Sequence, residues 1–111
     1  MKEQQLDMFA AARVRRDTGM QRAVDHADAQ EPGWSELAYR FLVRYATESD
    51  QPFLAENVIA AARAAGLPEP PDGRAYGAVI QRAHREGVTV KAGFAAAATS
   101  NCSPKVLWRR A

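Results

Sequence analysis

Apolar positions recur at helical spacing in four stretches of this chain. Met20, Ala23, Val24 and Ala27 fall at i, i+3, i+4 and i+7 and predict a helix from about 19 to 29, with Thr18 and Gln21 spaced as a capping box at its start. Pro32-Gly33 breaks that pattern. Trp34, Leu37, Ala38, Phe41, Leu42 and Tyr45 then form the strongest stripe, and Glu36, Arg40, Arg44 and Glu48 on the other side suit the i,i+4 pairs Glu36–Arg40 and Arg44–Glu48. After the turn-like Ser49 to Pro52, the residues Leu54, Val58, Ala61, Ala62 and Ala65 mark a third helix that Gly66 stops. Leu67 to Pro71 holds three prolines and reads as a stiff, extended connection. Asp72 can cap a last helix over Gly73 to Glu86, which buries Tyr76, Val79, Ile80 and Ala83 and ends where Gly87 turns left-handed.

Beyond Gly87 the period changes from 3.6 to 2. Val88, Val90 and Ala92 alternate with Thr89, Lys91 and Gly93, and Val106 and Trp108 alternate with Lys105, Leu107 and Arg109. Two strands joined by a loop of about ten residues follow from this. The fold class is therefore mainly α with a small β-hairpin (α+β), in the order of a winged helix-turn-helix with an extra N-terminal helix. Residues 17–111 form that domain. Residues 1–16, which no glycine or proline interrupts, form an N-terminal arm that is either an amphipathic helix or a mobile segment.

With 111 residues, 47% of them hydrophobic, the chain suffices for one domain burying roughly 65% of its unfolded surface. The longest uninterrupted apolar run lies within Gly93 to Ala98, far short of the roughly 20 residues of a membrane span. A lone Cys102 and the lack of a charged-then-apolar leader imply a reducing, cytoplasmic compartment.

The formal charge of +2 conceals an asymmetry. Residues 1–33 carry −1 and residues 34–72 carry −3, whereas residues 73–111 hold Arg74, Arg82, Arg85, Lys91, Lys105, Arg109 and Arg110 against Glu86 alone. Stepping 100° per residue along the last helix places Arg74, Gly77, Ala78, Gln81, Arg82 and Arg85 on the side away from the apolar stripe. In a winged helix this element is the recognition helix, whose first residues approach base edges. Arg74 is then the leading base or phosphate contact, Gln81 lies deeper along the groove, and Arg85 meets a phosphate strand. Gly77 and Ala78 leave room for close approach of the backbone to a duplex. The competing reading is a solvated face, or one that meets an acidic protein. The near absence of acid favours nucleic acid. The loop Ala95 to Ser103 would be the wing, and since it has no Lys or Arg, contact falls to the flanking Lys91, Lys105, Arg109 and Arg110.

Pro70-Pro-Asp-Gly-Arg-Ala-Tyr-Gly-Ala-Val79, the Gly-Val strand start, the closing Ser-Pro-x-x-Leu-Trp and the Trp34-Ser-x-x-Ala-Tyr39 helix start together resemble small winged-helix proteins of bacteriophages and integrated elements. The resemblance spans roughly residues 17–110. It implies double-stranded DNA binding in replication or its control, with a transcriptional regulator as the nearest alternative. Asn101-Cys102 stands where such proteins often carry a His-Gly turn, which puts a wing-tip contact in question. Gln5-Leu-Asp-Met-Phe9 is similar to the pentapeptide by which bacterial polymerases and repair factors dock on the sliding clamp, with Met8 in place of a leucine. That resemblance implies that Gln5, Leu6, Asp7, Met8 and Phe9 bind the clamp. Equally, Leu6, Phe9, Ala10 and Val14 share a helical stripe that can pack on the domain or across a homodimer. A third possibility is an interaction module that inhibits or redirects a host machine.

No phosphate-binding Gly-rich loop, metal-spaced His/Cys cluster or nucleophile elbow is present, so a non-catalytic protein without cofactor or metal is expected. His26 and His84 read as structural, Cys102 as an inert thiol, and Asp25, Asp28 and Glu31 as a solvated helix face.

Overall fold

The computed structural model describes residues 2–98 and 103–111, apart from the side chains of residues 2–7 and of Phe9. Among them are four helices and a three-stranded antiparallel sheet: α1 (Lys2–Gln30), α2 (Trp34–Glu48), β1 (Phe53–Leu54), α3 (Ala55–Ala64), α4 (Arg74–Arg85), β2 (Thr89–Ala96) and β3 (Pro104–Arg110).

The first helix differs most from the sequence expectation. It runs without a break through Thr18, so the capping box does not form, and Gln21 Nε2 donates instead to Asp25 Oδ1 at 2.9 Å. Extending a helix costs less than nucleating a new one, and the alanines and arginines of residues 10–16 are good helix formers. Residues 10–18 are all exposed, whereas Ala23 and Ala27 are buried, so the C-terminal half of α1 belongs to the core. At 1.5 Å per residue the helix is roughly 43 Å long, close to the molecule's longest dimension of 49 Å.

Gly33, at φ 82°, turns the chain into α2. Asp28 serves the new helix across that turn: Ser35 N donates to Oδ1 at 2.8 Å and Ser35 Oγ to Oδ2 at 2.7 Å. This carboxylate thus satisfies a first-turn amide that would otherwise lack a partner. The buried row of α2 is Trp34, Ala38, Leu42 and Ala46, and Leu37 lies off it, 48% exposed. Of the two expected pairs, Arg44–Glu48 forms at 3.1 Å, while Glu36 reaches across to Arg82 of α4.

Trp34 is fully buried at the centre of the core. Its indole Nε1 donates to Pro68 O at 2.7 Å, and its ring meets Tyr76 edge-on at 5.2 Å. The proline-rich connection is held on its other side by Arg63, which grips Glu69 through Nε and, at 3.2 Å, through Nη2. Asp72 caps α4 as expected, its Oδ1 accepting from Arg74 N at 2.9 Å. Gly87, at φ 78°, ends that helix, with Val88 N donating to Ala83 O.

The hairpin also matches expectation, though its strands reach closer to the tip. A bulge falls between Lys91 and Gly93. β3 is the central strand, because Phe53 and Leu54 add β1 to its other edge opposite Trp108 and Leu107. Two residues carry no readable period, which is why β1 escapes sequence analysis. Trp108 is buried under the helices beside the His84 ring, and His84 Nδ1 donates to Thr89 O at 3.2 Å, consistent with a structural role for that histidine.

Candidate nucleic-acid interface

The side of α4 away from the core is not the open face that its wheel suggests, because α1 lies along part of it. A Cβ on Gly77 would stand 3.1 Å from Met20 Cε, and one on Gly19 would stand 2.9 Å from Arg74 Nη1. The absent side chain of Gly77 therefore admits Met20. Ala75, Ala23 and Ala27 are each at most 4% exposed, so these small residues let the two helices approach closely.

The arginines of α4 divide accordingly. Arg74 is exposed, but its Nε and Nη2 both donate to Asp72 Oδ2, at 2.9 and 2.6 Å, and this holds the Asp72 carboxyl below its ordinary range. Arg82 lies across the Tyr39 ring at 3.8 Å, donating to Glu36 at 2.7 Å and Glu86 at 3.4 Å, while the Tyr39 hydroxyl donates to Glu86. It is a tie between α2 and α4, not a free cation. Arg85 makes no ion pair among the described residues.

Two clefts border the remaining strip of α4. One, of about 270 Å³, lies between α1 and α4 and is lined by Arg16, Asp17, Met20, Gln21, Ala78, Gln81 and Arg85. The other, of about 320 Å³, lies between α3, α4 and the hairpin; Ile59, Ile80, Val106 and Trp108 give it an apolar floor, and Gln81 and Lys105 are among its polar residues. Gln81 thus stands on the ridge between the clefts, with Arg85 on one side and Lys105 on the other.

On the hairpin, Lys105, Leu107 and Arg109 alternate with the core-facing Val106 and Trp108. Lys91 and Lys105 are exposed and make no ion pair among the described residues. Arg109 Nη1 donates to Arg110 O at 3.2 Å, and Arg110 Nη1 donates to Thr47 O at 2.9 Å, closing a carbonyl in the last turn of α2. Of the basic residues expected to form one surface, Arg85, Lys91 and Lys105 thus make no ion pair among the described residues, Arg109 bonds only its neighbour's carbonyl there, and Arg74, Arg82 and Arg110 serve the fold.

Sequence analysis missed two features. Phe94 is 71% exposed on β2, past the bulge and opposite Val106, although alternation would place it on the covered side of the hairpin. The cationic contribution of α1 was hidden by the −1 balance of its region; Arg16 and Arg13 lie on the face that carries Met20, one and two turns toward the N-terminus respectively.

The backbone of Gln5 to Phe9 is helical, and Met8 is 70% exposed; the side chains of Gln5, Leu6, Asp7 and Phe9 lie outside the described residues, as do Asn101 and Cys102. Among the described residues no group of acidic, histidine or cysteine side chains is arranged to hold a metal. Asp28, from the acidic run of α1, is engaged by Ser35, and His26 is exposed. No helix is long and apolar enough to cross a membrane. Comparison with known proteins gives no match to a family model, a curated protein or a solved structure.

Proposed function

We propose that this chain binds double-stranded DNA without catalysis, as a winged helix-turn-helix domain with one additional N-terminal helix. The element order α2, β1, α3, α4, β2, β3, with β3 central in the sheet, supports that fold assignment. The observation that carries the functional reading is that Gln81 shares one cleft with Arg85 and the other with Lys105, cations that make no ion pair among the described residues; Lys91, likewise without one among them, stands on β2 outside both clefts. Phosphate contacts by these three supply affinity, and Gln81, an amide able to accept and donate at once, supplies base readout. Arg74 contributes only after leaving Asp72. The role is in DNA replication or its regulation, with transcriptional regulation as the alternative, of the kind found in phages and mobile elements.

Fluorescence anisotropy on a mixed-sequence duplex across a salt series tests this. Each phosphate neutralised contributes about −0.9 to the slope of log affinity against log salt, so three contacts give at least about −2.7. The Arg85→Glu, Lys105→Glu variant should lose nearly all binding. A slope near zero, or binding indifferent to both reversals, rejects the reading.

A second reading concerns the N-terminal arm. Met8 and Val14 are 70% and 64% exposed, which leaves apolar side chains on α1 available to a protein partner, with the bacterial sliding clamp as the partner implied by Gln5 to Phe9. Titration of the chain with a bacterial clamp, beside Leu6→Ala and Phe9→Ala, tests it. Binding unaffected by either substitution rejects it.

A further inference from the structure

We infer that the projecting half of α1 is a second DNA-contacting element, laying Arg13 and Arg16 along the phosphate backbone beside the α4 surface. The inference rests on the DNA-binding reading above. Its basis is the change of character along one helix face. Ala27, Ala23 and Met20 on this face pack into the domain, and the next residues on it are Arg16 and Arg13, within the stretch 10–18 whose residues are all exposed. Apolar burial would favour continuing the stripe had another part of the domain covered it. Two guanidiniums occupy that place instead.

Position completes the case. Arg16 lines the same cleft as Arg85 and Gln81, so the arm begins at the edge of the proposed interface rather than elsewhere on the molecule. Arg13, one turn further out, makes no ion pair among the described residues. Arg16 contacts Asp17 only at 3.4 Å, with both side chains more than half exposed, a pairing that a phosphate can displace. Asp17 also lines the cleft and is the acidic charge that opposes an anion there, so Arg16 and Arg85 leave the cleft net positive. An acidic protein is the competing occupant. A regular phosphate backbone fits better, because Arg16 shares the cleft with Arg85 and Arg13 repeats the same cation one helical turn further out.

The test uses the full chain with Arg13→Ala, Arg16→Ala. Alanine maintains the helix, which circular dichroism checks. Five contacts in the wild type give a salt slope near about −4.5, and removal of two reduces it to about −2.7, with affinity roughly tenfold weaker and the preferred DNA sequence unchanged. A wild-type slope and affinity in this variant, with binding still lost in Arg85→Glu, Lys105→Glu, overturns the arm contact and leaves the DNA-binding reading standing. No salt-dependent binding by the wild type overturns both. A parallel titration with poly-glutamate that binds more tightly than the duplex, and depends on the same two arginines, overturns the choice of nucleic acid in favour of acidic protein.

Discussion

Met20 of α1 fills the space that Gly77 of α4 leaves open, and a Cβ at position 77 would stand 3.1 Å from its terminal methyl. Two effects oppose each other there. Replacing an interior helical glycine by alanine gains about 0.8–1 kcal/mol of helix propensity, while the contact demands that Met20 yield by a few tenths of an ångström. The atom concerned is the end of a flexible, half-buried side chain, so it yields. Gly77→Ala is expected to change stability by no more than about 1 kcal/mol, whereas Gly77→Leu overpacks the helix contact and costs about 1–3 kcal/mol. Urea denaturation measures both. Similar gains for the two would contradict a helix contact there.

Trp34 connects the core to the proline-rich segment, and its two functions separate by substitution. Trp34→Ala removes the fully buried ring and is expected to cost about 3–5 kcal/mol, a large share of a domain's total stability. Trp34→Phe retains much of the apolar contact with Tyr76 but removes the donor to Pro68 O, adding about 0.5–1.5 kcal/mol to a smaller packing loss. Thermal melts that rank wild type above Trp34→Phe above Trp34→Ala support this division.

The Tyr39–Glu86–Arg82 cluster makes the α2–α4 junction sensitive to pH. The Tyr39 hydroxyl, and secondarily Arg82, lower the Glu86 pKa in the folded state. A group lowered on folding stabilises above its unfolded pKa, and that contribution disappears as pH falls through the folded value. The same bond raises the Tyr39 pKa, so its contribution is present below the unfolded tyrosine value and is lost as pH rises through the folded one. Tyr39→Phe retains the ring beneath Arg82 and removes only the hydroxyl. Its melting temperature should fall short of wild type at neutral pH, and the gap should close as pH drops below the glutamate range, about pH 4. A gap that stays constant down to pH 3 would remove Glu86 from the account.

Long apolar stripes made the helices and hairpin legible in the sequence. The Met20, Ala23, Val24 and Ala27 pattern marked the buried half of α1, and Asp72 and Gly87 marked the ends of α4, because each rests on interactions local in sequence. What stayed hidden depends on distant packing. No local rule joins Glu36 to Arg82, Arg110 to Thr47 O, or α1 to the outer side of α4. The first two engage Arg82 and Arg110, and the third narrows the open side of α4. A helical wheel therefore located the basic face but overstated how much of it is open, treating Gly77 as space for a duplex where the fold places Met20.

The central claim, that DNA lies on the strip around Gln81 between α1 and the hairpin, is tested most directly by mapping backbone amide shifts on titration with a mixed-sequence duplex. The account predicts perturbations concentrated at Gln81 and Arg85, at Lys91 and Lys105, and along residues 13–20. Perturbations confined to the outer face of α2, around Arg40 and Arg44, or no shifts at low salt, would contradict it.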